Sequence, residues 1–162
     1  MIVAVLADTH LPRGTRRLPE ACVARLREAD AILHAGDVAT AQVLAELEAL
    51  GPPVHAVAGN VDEPALQERL AQQLVIELGG ARVGMVHDAG RAEGRLVRLR
   101  ARFAGADAVV FGHSHTPLHE VAPDGFQIFN PGSPTDRRRQ PHHTMGVARI
   151  EGTVAFETVT LD

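Results

Sequence analysis

Short, β-branched apolar runs alternate with helical spacing through the first half of the chain. Ile2–Ala7, Ala31–His34 and Val54–Ala58 are apolar segments too short for helices, and they read as buried strands. Between them, Pro19–Glu28 and Thr40–Leu50 read as helices. The second is capped by Thr40 and stopped by Gly51, Pro52 and Pro53, because glycine suits a helix exit and proline cannot continue the ladder. Strands alternating with helices predict a parallel sheet built by crossovers.

After a short helical piece at Pro64–Leu70 the pattern changes. Gln73–Leu78 and Arg82–Val86 flank Gly79-Gly80, a two-residue hairpin linker. Ala92–Ala104 reads as a helix with Leu96, Leu99 and Phe103 on one face, and Ala108–Phe111 as another strand. Two further hairpins follow, Leu118–Ala122 with Phe126–Phe129 and Met145–Ile150 with Val154–Thr160. The pattern predicts an α/β chain of two sheets with helices outside, since each sheet needs both faces covered.

Composition narrows the class. The chain has 162 residues, 45% apolar and 22% charged, which suits one hydrophobic core and one domain over 1–162. A net charge of -4 and the absence of Tyr and Trp disfavour a stable nucleic-acid complex, lacking both a basic field and a stacking platform. No stretch approaches a membrane span, and Met1–Ala7 is too short for a signal core, so a cytoplasmic location is expected. Cys22 is the only cysteine, which excludes an intrachain disulfide and a multi-thiolate metal site.

Candidate chemistry sits at the strand ends: Asp8 and His10, then Asp37, Asn60, His87, and finally His113 and His115. All are oxygen or nitrogen donors suited to Mn, Fe, Zn or Co. In extended backbone, Asp8 with His10 and His113 with His115 would each share a face. Strand ends along one sheet edge are where ligands bind in α/β folds.

These residues lie in segments that resemble the calcineurin-like metallophosphoesterases, specifically the small bacterial and archaeal phosphodiesterase branch that also includes a eukaryotic retromer subunit. The segments are LADTH (Leu6–His10), HAGDV (His34–Val38), GNVD (Gly59–Asp62), VHD (Val86–Asp88), GHSHTP (Gly112–Pro117) and NPGSP (Asn130–Pro134), in the family's order. The resemblance implies a four-layer α-β-β-α sandwich with two mixed sheets. It further implies two divalent metal ions, Mn first and Ni, Co, Zn or Fe as alternatives. Asp8, His10, Asp37 and His115 would hold one ion, and Asp37, Asn60, His87 and His113 the other. Asp37 would bridge, and with Asn60 and His87 it forms the implied catalytic set. The implied activity is hydrolysis of a small phosphodiester by a bridging hydroxide, without a protein nucleophile. A rival reading is a non-catalytic interaction scaffold on the same fold, against which stands the retention of every donor. A homo-oligomer is compatible with either.

The chain departs from the family pattern at Asp88, where glycine is usual; this carboxylate either orients His87 or faces solvent. Val61 stands where larger relatives have a histidine that assists the leaving group, and valine has no proton to give. Asp62 is expected to fix the Gly59-Asn60 turn, and His34 to be a satisfied buried histidine. His55, His119, His142 and His143 are read as structural or solvated. Arg91, Arg95, Arg98 and Arg102 are read as a solvated helix stripe, while Arg137, Arg138 and Arg139, with a weaker claim for Arg13, Arg16 and Arg17, are candidates for phosphate contact.

Overall fold

The computed structural model describes residues 1–162. In its first sheet β1 (Ile2–Leu6) lies at the centre, parallel to β2 (Ala31–His34), which is parallel in turn to β3 (Val54–Ala56). The other side of β1 is taken by β9 (Thr144–Ile150), antiparallel, with β10 (Val154–Thr160) as its hairpin partner at the edge. The second sheet runs β4 (Gln73–Leu78), β5 (Ala81–Val86), β6 (Ala108–Val110), β8 (Gln127–Asn130), β7 (Leu118–Val121), with β5, β6 and β8 mutually parallel. Both sheets are therefore mixed, as the resemblance implies; the strand-helix pattern of the first half predicts a parallel sheet, which the β9–β10 hairpin makes mixed by pairing antiparallel with β1.

Alternation along β1 explains the layering. Val3 and Val5 enter the core between the sheets, where they join Leu33 from β2 and Val83, Met85, Val110 and Phe129 from the second sheet. Ala4 and Leu6 point the other way, onto Cys22 and Leu26 of α1 (Glu20–Glu28) and Leu47 of α2 (Ala41–Glu48). On the far face of the second sheet, Leu99 of α4 (Arg95–Arg102) and nearby Phe103 pack on Val109 and Ile128. Thr40 caps α2 as expected, its hydroxyl accepting the Val43 amide at 3.3 Å. Burial pushes the Cys22 thiol up to about 12, so it is an inert core residue.

Most helices and strands are shorter than the sequence suggests, and one difference matters. The expected helix from Ala92 begins only at Arg95, because Gly94 adopts left-handed backbone with φ 66°. Arg91 thus leaves the expected stripe, and the remaining arginines are not merely solvated. Arg98 donates to the carbonyls of Ala89, Arg91 and Glu93, and Arg95 to that of Gly90, so α4 ties down the loop that follows β5. Between β3 and β4 lies α3 (Pro64–Arg69), started by proline at its first position. No helix is long and apolar enough to cross a membrane.

Candidate metal centre

The parallel strands of both sheets end at one edge of the sandwich, and their following loops meet there. Asp8 and His10 follow β1, Asp37 follows β2, Asn60 follows β3, His87 follows β5, and His113 and His115 follow β6. The loops are cross-tied: the Asp8 amide donates to Gly36 O and the His10 amide to Asp37 O, both at 3.0 Å, while the His113 amide donates to Asp8 Oδ1 at 3.2 Å.

The expected strand geometry does not persist at the paired donors. Asp8 (φ 56°), His10 (φ 46°), His113 (φ 68°) and His115 (φ 57°) are all left-handed, so each pair converges by a loop reversal and not by the two-residue repeat of a strand. Asp37 is left-handed too, with φ 59°. Five non-glycine residues in this sparse region are a concentration of backbone strain of the kind found at functional sites.

All seven donors come together in two overlapping groups. In the first, Asp8 Oδ1 lies 3.9 Å from His10 Nε2 and 3.6 Å from His115 Nε2. In the second, Asn60 Oδ1 lies 2.9 Å from His87 Nε2 and 3.0 Å from His113 Nδ1, with the two ring nitrogens 3.3 Å apart. Asp37 Oδ2 stands between the groups, 3.3 Å from His10 Nε2 and 3.2 Å from His87 Nε2. Two candidate metal clusters, Asp8-His10-His115 and Asp8-Asp37-His87, satisfy the spacing of ligand atoms around a cation.

The donor chemistry fits metal. Asp8 Oδ2 and His10 Nε2 are buried without a hydrogen-bond partner, a costly condition for neutral packing and an appropriate one for atoms facing a cation. Burial alone would raise the Asp37 carboxyl, but His87, the Val61 amide at 2.9 Å and His10 outweigh it and hold it below the ordinary range. His87 shows the complement: burial opposes its charge, yet its hydrogen bond to the Asp37 carboxylate, aided by Asp8 and the Ala35 carbonyl, lifts it above the ordinary imidazole.

Two backbone carbonyls aim the rings. His87 Nδ1 donates to Ala35 O at 2.8 Å and His115 Nδ1 to Asp136 O at 2.5 Å, so that in the neutral form of each ring the lone pair a cation would take lies on Nε2. Asp88 does not orient His87; it is exposed and accepts the Gly90 amide at 2.7 Å. Asp62 performs its expected role, accepting the Gly59 amide at 2.6 Å and the Ala39 amide at 2.8 Å, so that it staples the Asn60 turn to the Asp37 loop. A Cβ at Gly59 would collide with the Asp37 amide and carboxylate, and one at Gly36, left-handed at φ 90°, would lie 2.6 Å from His87 Nδ1.

His34 is fully buried with Nε2 3.1 Å from the Thr9 hydroxyl, but its Nδ1 has no partner, so it is only half satisfied. His119 meets Gln127 and packs edge-on against Phe129 and Phe156, and His143 meets Asp162, consistent with structural roles. Of the arginine triplet only Arg138 reaches the donors; Arg137 binds the Gln140 carbonyl of its own loop and Arg139 is exposed. The sequence reading missed Ala35 and Asp136 as ring anchors, because a backbone carbonyl has no side-chain signature. It also missed a polar recess of about 490 Å³ beside Asn60, His87 and His113, to which Gln67, Asp88 and Arg102 contribute from separate segments.

Comparison with known proteins identifies relatives of the chain and of its fold. A probable metallophosphoesterase of Methanothermobacter thermautotrophicus is 37% identical over 154 residues, covering 94% of this chain and 87% of that protein. One from Methanocaldococcus jannaschii is 33% identical over 138 residues, 83% of this chain and 69% of that protein. The fold matches Vps29 of Entamoeba histolytica, solved in complex with Zn2+, at a TM-score of 0.78 with 23% identity over the full length of both chains. It matches a structure described as an archaeal phosphodiesterase at 0.78 with 19% identity, covering 99% of this chain and 100% of that one. The model of the calcineurin-like phosphoesterase superfamily domain matches residues 1–153, and with the convergent donors at the expected strand ends this chain belongs to that superfamily.

Proposed function

We propose that the chain is a metal-dependent phosphodiesterase acting on a small phosphodiester, with residues 1–162 forming one catalytic domain that works in the cytoplasm. The observation that carries this reading is the position of Asp37 Oδ2, nearly equidistant from His10 Nε2 and His87 Nε2 at 3.3 and 3.2 Å, which puts one carboxylate within reach of both donor groups. Asp8, His10, Asp37 and His115 would hold one divalent ion, and Asp37, Asn60, His87 and His113 the other, with Mn the first candidate for this oxygen and nitrogen set. Such a pair supplies Lewis acidity for the phosphoryl oxygens and acidifies an attacking water.

The chain's own residues divide the remaining work. Asp37, kept anionic by its surroundings, would offset the repulsion between two cations, while Asn60 would contribute an oxygen without adding charge. Ala35 and Asp136 hold the His87 and His115 rings so that a nitrogen lone pair faces inward. The recess beside Asn60 and His87 supports a small, hydrophilic ester substituent, since only Ala58 and Val86 among its lining residues are hydrophobic. Val61, half exposed beside Asn60, has no proton for the departing oxygen.

Elemental analysis of purified protein, followed by hydrolysis assays of phosphodiesters and phosphomonoesters under Mn, Ni, Co and Zn, tests the proposal. The expected result is two ions per chain and faster diester than monoester hydrolysis. Metal binding with no hydrolysis of any ester would favour the scaffold reading instead.

A further inference from the structure

The His115 flank of the site carries positive charge that the proposed cation-holding residues do not explain. Its base is the loop after β8, pinned against the Asp8 segment. Ser133 Oγ donates to Asp8 O at 2.8 Å and Thr135 Oγ1 to Thr9 O at 2.6 Å. From this fixed base Asp136 presents two groups. Its carbonyl anchors His115, and its carboxylate lies 3.4 Å from both Arg16 NH1 and Arg138 Nε. One carboxylate between two guanidiniums leaves a net positive charge at the rim. Arg16 is held only a quarter exposed, and its NH1 is buried with no hydrogen bond, so its charge is poorly neutralised by solvent.

Arg138 then turns back toward the donors. Its backbone is left-handed at φ 51°, and its NH2 lies 3.3 Å from His115 Nε2. The Nδ1 proton of His115 is committed to Asp136 O, so Nε2 is an acceptor and Arg138 donates to it. One lone pair serves a guanidinium or a metal ion, not both. A guanidinium displaced from that nitrogen would have N–H groups free at the mouth of the site, in the fork geometry that suits phosphoryl oxygens, while Asp136, now 3.4 Å from its Nε, would still lie beside it.

We propose that Arg138, positioned by Asp136 and Arg16, reads the anionic oxygens of the substrate, yielding His115 Nε2 to a cation and turning its freed N–H groups to a non-bridging phosphoryl oxygen. The assignment rests on the phosphodiesterase reading above and narrows the phosphate-contact candidates from the arginine triplet to one residue. It predicts opposite effects on cation and anion binding. Loss of the guanidinium removes a competitor for His115 and, at the same time, a contact for phosphate.

The experiment uses calorimetry on the full chain. Mn2+ is titrated into chelator-stripped protein, and inorganic phosphate into Mn-loaded protein, for the wild type, Arg138→Gln, Arg138→Lys and Arg139→Gln. Arg138→Gln is expected to bind Mn2+ about threefold more tightly and phosphate about tenfold more weakly, the scale of one charge-assisted contact. Arg138→Lys should retain part of the phosphate affinity, and Arg139→Gln should match the wild type within about twofold on the same scale. Hydrolysis of bis(p-nitrophenyl) phosphate by Arg138→Gln should show a raised KM. Unchanged phosphate affinity in Arg138→Gln overturns the assignment, and so does a parallel loss of Mn2+ and phosphate affinity, which would mark a merely structural residue. A wild type that binds both ligands as described yet hydrolyses no ester refutes the phosphodiesterase reading while leaving the Arg138 contact intact. Full hydrolytic efficiency in Arg138→Gln does the reverse.

Discussion

Asp37 and His87 follow strands of different sheets of the sandwich, yet Oδ2 of the first lies 3.2 Å from Nε2 of the second. The contact joins the two halves of the molecule at the point where the donor groups overlap. Asp37→Asn should therefore weaken both cation positions, whereas His115→Ala should weaken one. Elemental analysis after gel filtration in Mn2+ is expected to give fewer than one ion per chain for Asp37→Asn and close to one for His115→Ala. Two retained ions in Asp37→Asn would rule out a shared carboxylate.

Asp62 makes no contact with the proposed cations and still decides where Asn60 lies. Its carboxylate accepts two backbone amides while almost fully buried. Asp62→Ala leaves both amides unpaired and is expected to cost about 2–6 kcal/mol in urea unfolding, given roughly 1–3 kcal/mol for each buried group left unsatisfied. It should also reduce Mn2+ affinity, because the Asn60 turn loses its staple. A change below about 0.5 kcal/mol, the usual range of a surface substitution, would mean that the turn holds itself.

His34 introduces a pH dependence of known sign. Burial, reinforced by the nearby His87, lowers it from 6.5 to about 3, so the folded chain keeps this ring neutral. Protonation then favours the unfolded state. Its contribution is fully present above about 6.5 and is lost as pH falls through the interval toward about 3. Urea midpoints of chelator-stripped protein should fall more steeply between about pH 7 and pH 4.5 for the wild type than for His34→Gln, which has no charge to acquire. Parallel slopes would show that His34 is already paired or hydrated in the folded state.

Leaving-group dependence follows from Val61, which places no acid beside Asn60. Diester hydrolysis should slow by about an order of magnitude or more for each few units of leaving-group pKa, because negative charge accumulates on an oxygen that the chain does not protonate. Val61→His is expected to flatten that dependence. A flat profile in the wild type, with chemistry rate-limiting, would identify another proton donor in the site.

Much of this arrangement is legible along the chain because it depends on local chemistry. The apolar runs around Val3, Leu33 and Val83 have no solvent-tolerant alternative to a buried strand, and Asp8, Asp37, Asn60, His87 and His113 each follow such a run directly. The Asp62 staple could be anticipated because it acts three residues from Gly59. The shortened start of α4 was less accessible. It is set by the left-handed backbone of Gly94, and Arg98 holds the loop before it by three carbonyls, neither of which helical periodicity expresses.

By itself, the sequence determined the two-sheet α/β class, the strand-end placement of the oxygen and nitrogen donors, and the absence of thiolate chemistry. These follow from periodicity, turn residues and side-chain type, which are properties of a residue and its near neighbours. Only the tertiary structure decided that β9 lies beside β1, that left-handed loops turn Asp8 toward His115, that Ala35 and Asp136 aim the two histidine rings, and that Arg138 alone of its triplet meets the site. Those outcomes depend on backbone carbonyls and on side chains more than a hundred positions apart, such as Ser133 with Asp8. Packing of the two sheets brings such groups within hydrogen-bonding distance, and no local pattern of apolar and polar residues specifies which of them will meet.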